Sequence, residues 1–216
     1  MTLLVLSAAL PGADELPEPP AAKPVLTQIR QVLDLSRSEA EAQYPVQVQG
    51  VTTCYDAKMG LFFVQDATAG IFVWNAVLPP QLRPGQRVAV TGISSGGRYS
   101  PVIVAASVRI LGPAPLPSAR KVSLGDVASG AEDAQWVEVQ GIVHGVTEDW
   151  GQWVLDLASG GDHLSIRVLD HPAGAKPALT DARVSVLGVA GAMFDAHNGL
   201  LGFTLFVPDA SELSVL

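Results

Sequence analysis

In L61-F-F-V-Q65 and G70-I-F-V-W74, large aromatic and aliphatic side chains alternate over two short runs. In an extended chain such alternation sends neighbours to opposite faces. Phe62, Val64, Ile71 and Val73 then form one face, and Phe63, Gln65, Phe72 and Trp74 the other. Three aromatics on one surface make a stacking platform, and the glycine-containing turn S94-S-G-G-R98 followed by Tyr99 brings a cation and a further ring to its edge. Rings plus one cation suit planar or sugar-like ligands. The candidate binding set is therefore Phe63, Phe72, Trp74, Arg98 and Tyr99. The competing expectation is that a leader helix or the second half of the chain packs over this face, because large aromatics are more often packed than free.

Other reactive residue types are more scattered. Asp162-His163, Asp170-His171 and Asp195 to Asn198 place acids beside histidines, but in three loops without metal-ligand spacing. They read as surface histidines, and no metal or cofactor is expected. The single cysteine, Cys54, lies in the strand-like run V51-T-T-C-Y55, where a buried small hydrophobe is expected. Asp56 and Asp66 begin turns, a position that Asx hydrogen bonds explain without catalysis. The chain has no P-loop or H-E-x-x-H motif. No catalytic residue is assigned, and a non-enzymatic protein is expected.

The elements that carry these residues are written twice. VQVQG at 46–50 returns as VEVQG at 137–141, so that Gly50 and Gly141 stand 91 residues apart, and Thr68-Ala69-Gly70 maps onto Ser159-Gly160-Gly161 in the same register. GQRVAVTG at 85–92 returns as DARVSVLG at 181–188. A repeat present only twice implies duplicated domains, since a solenoid needs at least about three units. The V-x-V-x-G pattern occurs twice in each copy, at 46–50, 88–92, 137–141 and 184–188. Its valines point to a core, and its mid-strand glycine marks a bend, bulge or barrel corner.

Strands are predicted at 46–55, 61–65, 70–74, 87–92 and 102–111, and again near 136–146, 153–157, 164–168, 183–188 and 201–207, with a last one at 213–216. Five strands with a kinked first one per copy are the inventory of the OB-fold. The fold class is all-β: two tandem five-stranded OB-like Greek-key barrels, each with a short helical leader. Thr27 is a predicted cap for a turn presenting Ile29, Val32 and Leu33, while S36-R-S-E39 and S123-L-G-D126 resemble capping boxes. In the second copy the strand-two and strand-three face would show Asp156, Ser165 and Arg167. Trp136 is expected to cap that barrel, and Trp150 to be an exposed anchor or to fold onto Trp153. The divisions are a signal-peptide-like and proline-rich leader at 1–21, module one at 22–112, a proline-rich linker at 113–118 and module two at 119–216.

Hydrophobic residues make up 48% and charged residues 16% of 216, with 21 Gly and 16 Pro, which fits a folded, turn-rich protein. Leu3 to Leu10 followed by small residues resembles the end of an export signal. The first basic residue is Lys23, so either the start lies upstream of Met1 or the run is an apolar tail. Residues 22–117 hold 8 basic and 5 acidic side chains, whereas 118–216 hold 5 basic and 13 acidic, within a chain of net charge −8. So acidic a whole chain is poorly suited to phosphate-backbone binding. Nucleic acid is therefore an unfavoured partner, although module one alone is not excluded.

The stretches TQIRQVLDLSRSEAEAQYPVQVQGVTT, LFFVQDATAGIFVW, EDAQWVEVQGIVHGV and LLGFTLFVPD resemble the tandem OB-like modules at the extracytoplasmic N-terminus of a group of bacterial membrane-bound hybrid sensor histidine kinases. The resemblance runs from about Pro24 to Leu216. It implies export to the periplasm or another extracytoplasmic space, a place ahead of a membrane anchor, and a role in signal input. No phospho-acceptor or ATP-binding segment lies within these residues, so kinase activity is not expected of them. Three functions remain open: an exported sensory or interaction module acting with a protein partner or membrane-bound kinase region, an oligonucleotide- or oligosaccharide-binding protein using the module-one face, and a structural spacer or dimerisation module.

Overall fold

The computed structural model describes residues 23–74, 78–172 and 178–216; the signal-like leader lies outside them. The elements in chain order are α1 (Ile29–Leu33), α2 (Arg37–Ala40), β1 (Pro45–Asp56), β2 (Leu61–Gln65), β3 (Gly70–Trp74), β4 (Gln86–Ser95), β5 (Val102–Pro113), β6 (Arg120–Lys121), α3 (Leu124–Ala128), β7 (Trp136–Asp149), β8 (Gln152–Ser159), β9 (Asp162–Val168), β10 (Arg183–Phe194), β11 (Leu200–Val207) and β12 (Leu213–Val215). No described helix is long and apolar enough to cross a membrane.

β1 to β5 close a barrel in the order β1-β2-β3-β5-β4, with β3 and β5 parallel. The second copy repeats it: β7-β8-β9-β11-β10 closes through β10 onto β7, and β9 and β11 are parallel. These are two OB-like barrels. Closure leaves few strand edges open to pairing.

The repeated motif accounts for the curvature. Val46, Val48, Val88 and Val90 fill the first barrel, and Val137, Val139, Val184 and Val186 the second. A Cβ placed on Gly50, Gly92, Gly141 or Gly188 would stand 2.6, 2.2, 2.6 or 2.7 Å from a carbonyl oxygen of the neighbouring strand. At these corners the strands approach too closely for any side chain. Bulges accompany the bends in β1 and β7, between Thr52 and Cys54 and between Val143 and Gly145, each three residues beyond the motif glycine.

The leader segments seal the barrels. Ile29 and Val32 of α1 enter the first core, Leu124 and Val127 of α3 the second. The helix start differs from expectation: Gln28, not Thr27, is the N-cap residue, and the Asp66 carboxylate accepts a hydrogen bond from the Ile29 N–H at 2.8 Å. Asp66 also accepts from Thr68 N–H and Ala69 N–H, so it ties its own turn to α1. Ser36 with Glu39 and Ser123 with Asp126 form reciprocal caps.

A third cluster joins the barrels. Cys54 and Phe63 from the first meet Trp136, Val189 and Phe206 from the second, with Phe72 and Met193 packed alongside. Trp136 therefore lies between the modules and does not cap a barrel, because alternation gives the inward places to Val137 and Val139. The proline-rich connection is anchored too: Ala114 N–H donates to Gly85 O, and Leu116 packs against the same cluster. Cys54 is fully buried there, and burial pushes its thiol far above the ordinary range. A thiol-labelling reagent should leave Cys54 untouched in the native chain and react within the time of unfolding; rapid labelling under native conditions would contradict a closed junction.

Candidate functional site

The aromatic face of β2 and β3 forms because Phe63 and Phe72 are cross-strand partners, their ring centroids 5.2 Å apart and inclined at 65°. Such an arrangement favours edge contact between rings. Phe62, Val64, Ile71 and Val73 point the other way, into the barrel core.

Module two covers half of this face. Phe206 of β11 lies 6.1 Å from Phe63, which is buried, while Phe72 is half-buried and Trp74 remains 40% exposed. Between floor and rim opens a cleft of about 460 Å³, walled by both modules. All five candidate residues line it, so the structure brings Phe63, Phe72, Trp74, Arg98 and Tyr99 together. The competing expectation of a face packed under module two describes Phe63, and the exposed platform describes Trp74.

The loop between β4 and β5 supplies the polar side. Arg98 sits between two rings, its guanidinium carbon 5.3 Å from the Trp74 centroid and 5.3 Å from that of Phe194. The cation thus joins module one to module two through a cation–π pair on each side. Tyr99 meets Phe203 edge-on at 4.8 Å.

Sequence reasoning missed the module-two wall: Asp133, Ala192, Met193, Phe194 and Phe206. β10 continues past Gly188 to Phe194, beyond the strand predicted at 183–188. Asp133 is the carboxylate of the cleft. Ser100 Oγ donates to its Oδ2 at 2.6 Å, and the nearby backbone N–H groups of Ala192 and Ala134 also favour its charged form. Burial outweighs these bonds and raises its pKa above the ordinary aspartate value. The cleft therefore combines the rings of Phe63, Phe72, Trp74, Tyr99, Phe194 and Phe206 with one shared cation and one acid whose pKa burial raises.

The remaining candidates are dispersed. Trp150 is 85% exposed at a hairpin tip, while Trp153 is stacked by His171 at 4.2 Å. His197 lies in the turn closed by the Asp195 carboxylate. His163 belongs to β9 and not to a loop.

No family profile matches the chain, and no curated protein matches it. Solved structures do. The hypothetical protein ygiW from E. coli is 17% identical, covering 40% of this chain and 89% of its own, with a TM-score of 0.33. Fission yeast Pot1 with ssDNA is 10% identical, covering 88% of each chain, with a TM-score of 0.38. A murine DNA binding protein bound with ds DNA is 10% identical, covering 80% of this chain and 95% of its own, with a TM-score of 0.40. Two of these three similar structures are DNA complexes, and the charge-based expectation that nucleic acid is an unfavoured partner is withdrawn. Charge summed over a chain does not describe one face, and residues 22–117 carry more basic than acidic side chains.

Proposed function

We propose that this chain is a non-enzymatic binding module that takes a planar or sugar-like ligand into the cleft between its barrels and serves as an exported signal-input region. The carrying observation is the 460 Å³ cleft to which both modules contribute rings and in which Arg98 bridges Trp74 and Phe194. Its volume matches a single small ligand. Among the described lining residues the ionisable groups are Arg98, Tyr99 and Asp133, which suit recognition by stacking and hydrogen bonding. A ligand touching both modules favours one relative placement of them over others, which is the differential affinity that signalling requires.

The test is calorimetric titration with purine, indole and monosaccharide probes, and with short oligonucleotides and oligosaccharides in parallel. Loss of one stacking ring is worth about 1–3 kcal/mol, so Trp74→Ala should weaken a bound probe by roughly tenfold or more. Arg98→Ala should act in the same direction. A probe that binds both variants as tightly as the unaltered chain does not use this cleft. If no probe binds at all, the spacer or dimerisation reading gains, and a mass that rises with concentration would identify it.

A further inference from the structure

The bulge in β7 re-aims one side chain. Between Val143, paired with Leu157, and Gly145, paired with Asp156, the extra residue is His144. Across the next hairpin Asp156 pairs with Ser165 and Ala158 with His163. Three strands so deliver His144, Asp156 and His163 to one exposed spot, where one ligand atom from each lies within 4.8 Å of the others. His163 Nδ1 is 3.1 Å from Asp156 Oδ1, and the two imidazole rings are 5.2 Å apart.

We propose that His144, Asp156 and His163 form a binding site for a borderline divalent cation of the zinc class. Two imidazoles and a carboxylate, without thiolate, match zinc, cobalt, nickel or copper, whereas calcium and magnesium take oxygen ligands. Tetrahedral zinc with bonds near 2.0–2.1 Å holds its ligands roughly 3.3 Å apart. Small rotamer changes of exposed side chains bridge the difference. Three protein ligands leave a fourth position open. Next to them Gly145 has no atom within 4 Å of where a Cβ would stand, and a concavity of about 340 Å³ runs along Thr147, Val154 and Ser165. A water or a donor group of a second molecule can complete the shell there.

The duplication sharpens the point. The first barrel carries the same bulge, where the extra residue is the buried Thr53, and Phe63 and Phe72 pair where the second barrel pairs Asp156 with Ser165. What faces the other module in the first copy faces solvent in the second. Nothing in the second core needs these histidines.

The experiment uses the untagged full chain. Isothermal titration with Zn(II) should give one site per chain, and Co(II) should produce visible d–d absorption. His144→Ala and His163→Ala should each weaken Zn(II) by about tenfold or more, while His197→Ala leaves it unchanged. Circular dichroism verifies that the variants fold, as exposed positions allow. Zn(II) binding that survives loss of both His144 and His163, or that falls equally with His197→Ala, or no binding at millimolar Zn(II), would reduce the cluster to a surface ion pair and overturn the proposal.

Discussion

Replacing Phe206 by alanine is expected to lower the unfolding free energy by about 3–5 kcal/mol. Phe206 is 1% exposed on β11, between Leu205 and Val207, which belong to the second barrel's core. Its ring instead crosses to Phe63 of the first barrel and fills the junction with Trp136, Cys54 and Val189. Truncation removes a large buried ring and leaves a hole beside Phe63, Cys54, Trp136 and Val189, whose strands belong to two closed barrels and cannot readily collapse to refill it. For a chain of this length the melting temperature falls by about 2–4 °C per kcal/mol. The loss should also be unequal in kind. An apolar junction of this sort makes two barrels unfold together, so calorimetry of the unaltered chain should show one transition, and Phe206→Ala should separate it into two. A double-mutant cycle with Phe63→Leu should return about 0.5–1.5 kcal/mol for the ring pair. A Phe206→Ala chain that melts as the unaltered one does would mean that the modules are merely adjacent.

The residues show why some of this could be read in advance. Alternation alone sorts Phe62 and Val64 from Phe63, and Ile71 and Val73 from Phe72, because a strand's two faces follow directly from order along the chain. The V-x-V-x-G repeat was equally legible, since valine burial and close strand crossing both act within a few residues. The partner of Phe63 was not. Phe206 lies on a strand distant in sequence, and its outward direction matters only once the two barrels are docked. The His144 cluster was hidden for a different reason. A bulge adds one residue to one strand and changes which side chains stand opposite each other. The motif glycine signals a bend or bulge without saying which residue is added, so the acid–histidine pairs adjacent in sequence stand out while the triad assembled across strands does not. In the same way the junction claimed Trp136, whose position beside Val137 was visible but whose neighbour was not.

Gly70→Ala should have the second large effect, and it acts by close approach alone. Gly70 has no left-handed φ, so an alanine there is not strained by its own backbone. A Cβ at this position, however, would stand 2.0 Å from Ala134 O and 3.0 Å from its carbonyl carbon. The obstacle is backbone, which has no rotamer to change. Around the same point Gly70 N–H donates to Gln135 Oε1 at 3.0 Å, Gln135 Nε2 donates to Gly70 O at 3.2 Å, and Trp136 N–H donates to Gln65 Oε1 at 2.9 Å. Overpacking costs about 1–3 kcal/mol, and each hydrogen bond lost with the displaced segment adds about 1 kcal/mol. Since both barrels close without this contact, the methyl group should push the modules apart and leave each folded. Native-state labelling of Cys54, which is buried in the junction, should then accelerate while strand content by circular dichroism stays constant. Probe binding in the cleft should weaken with it, because Phe194 and Trp74 no longer hold Arg98 between them. If labelling and binding are both unmoved by Gly70→Ala, the glycine is not the pin of the junction and the cleft does not depend on the docking of the barrels.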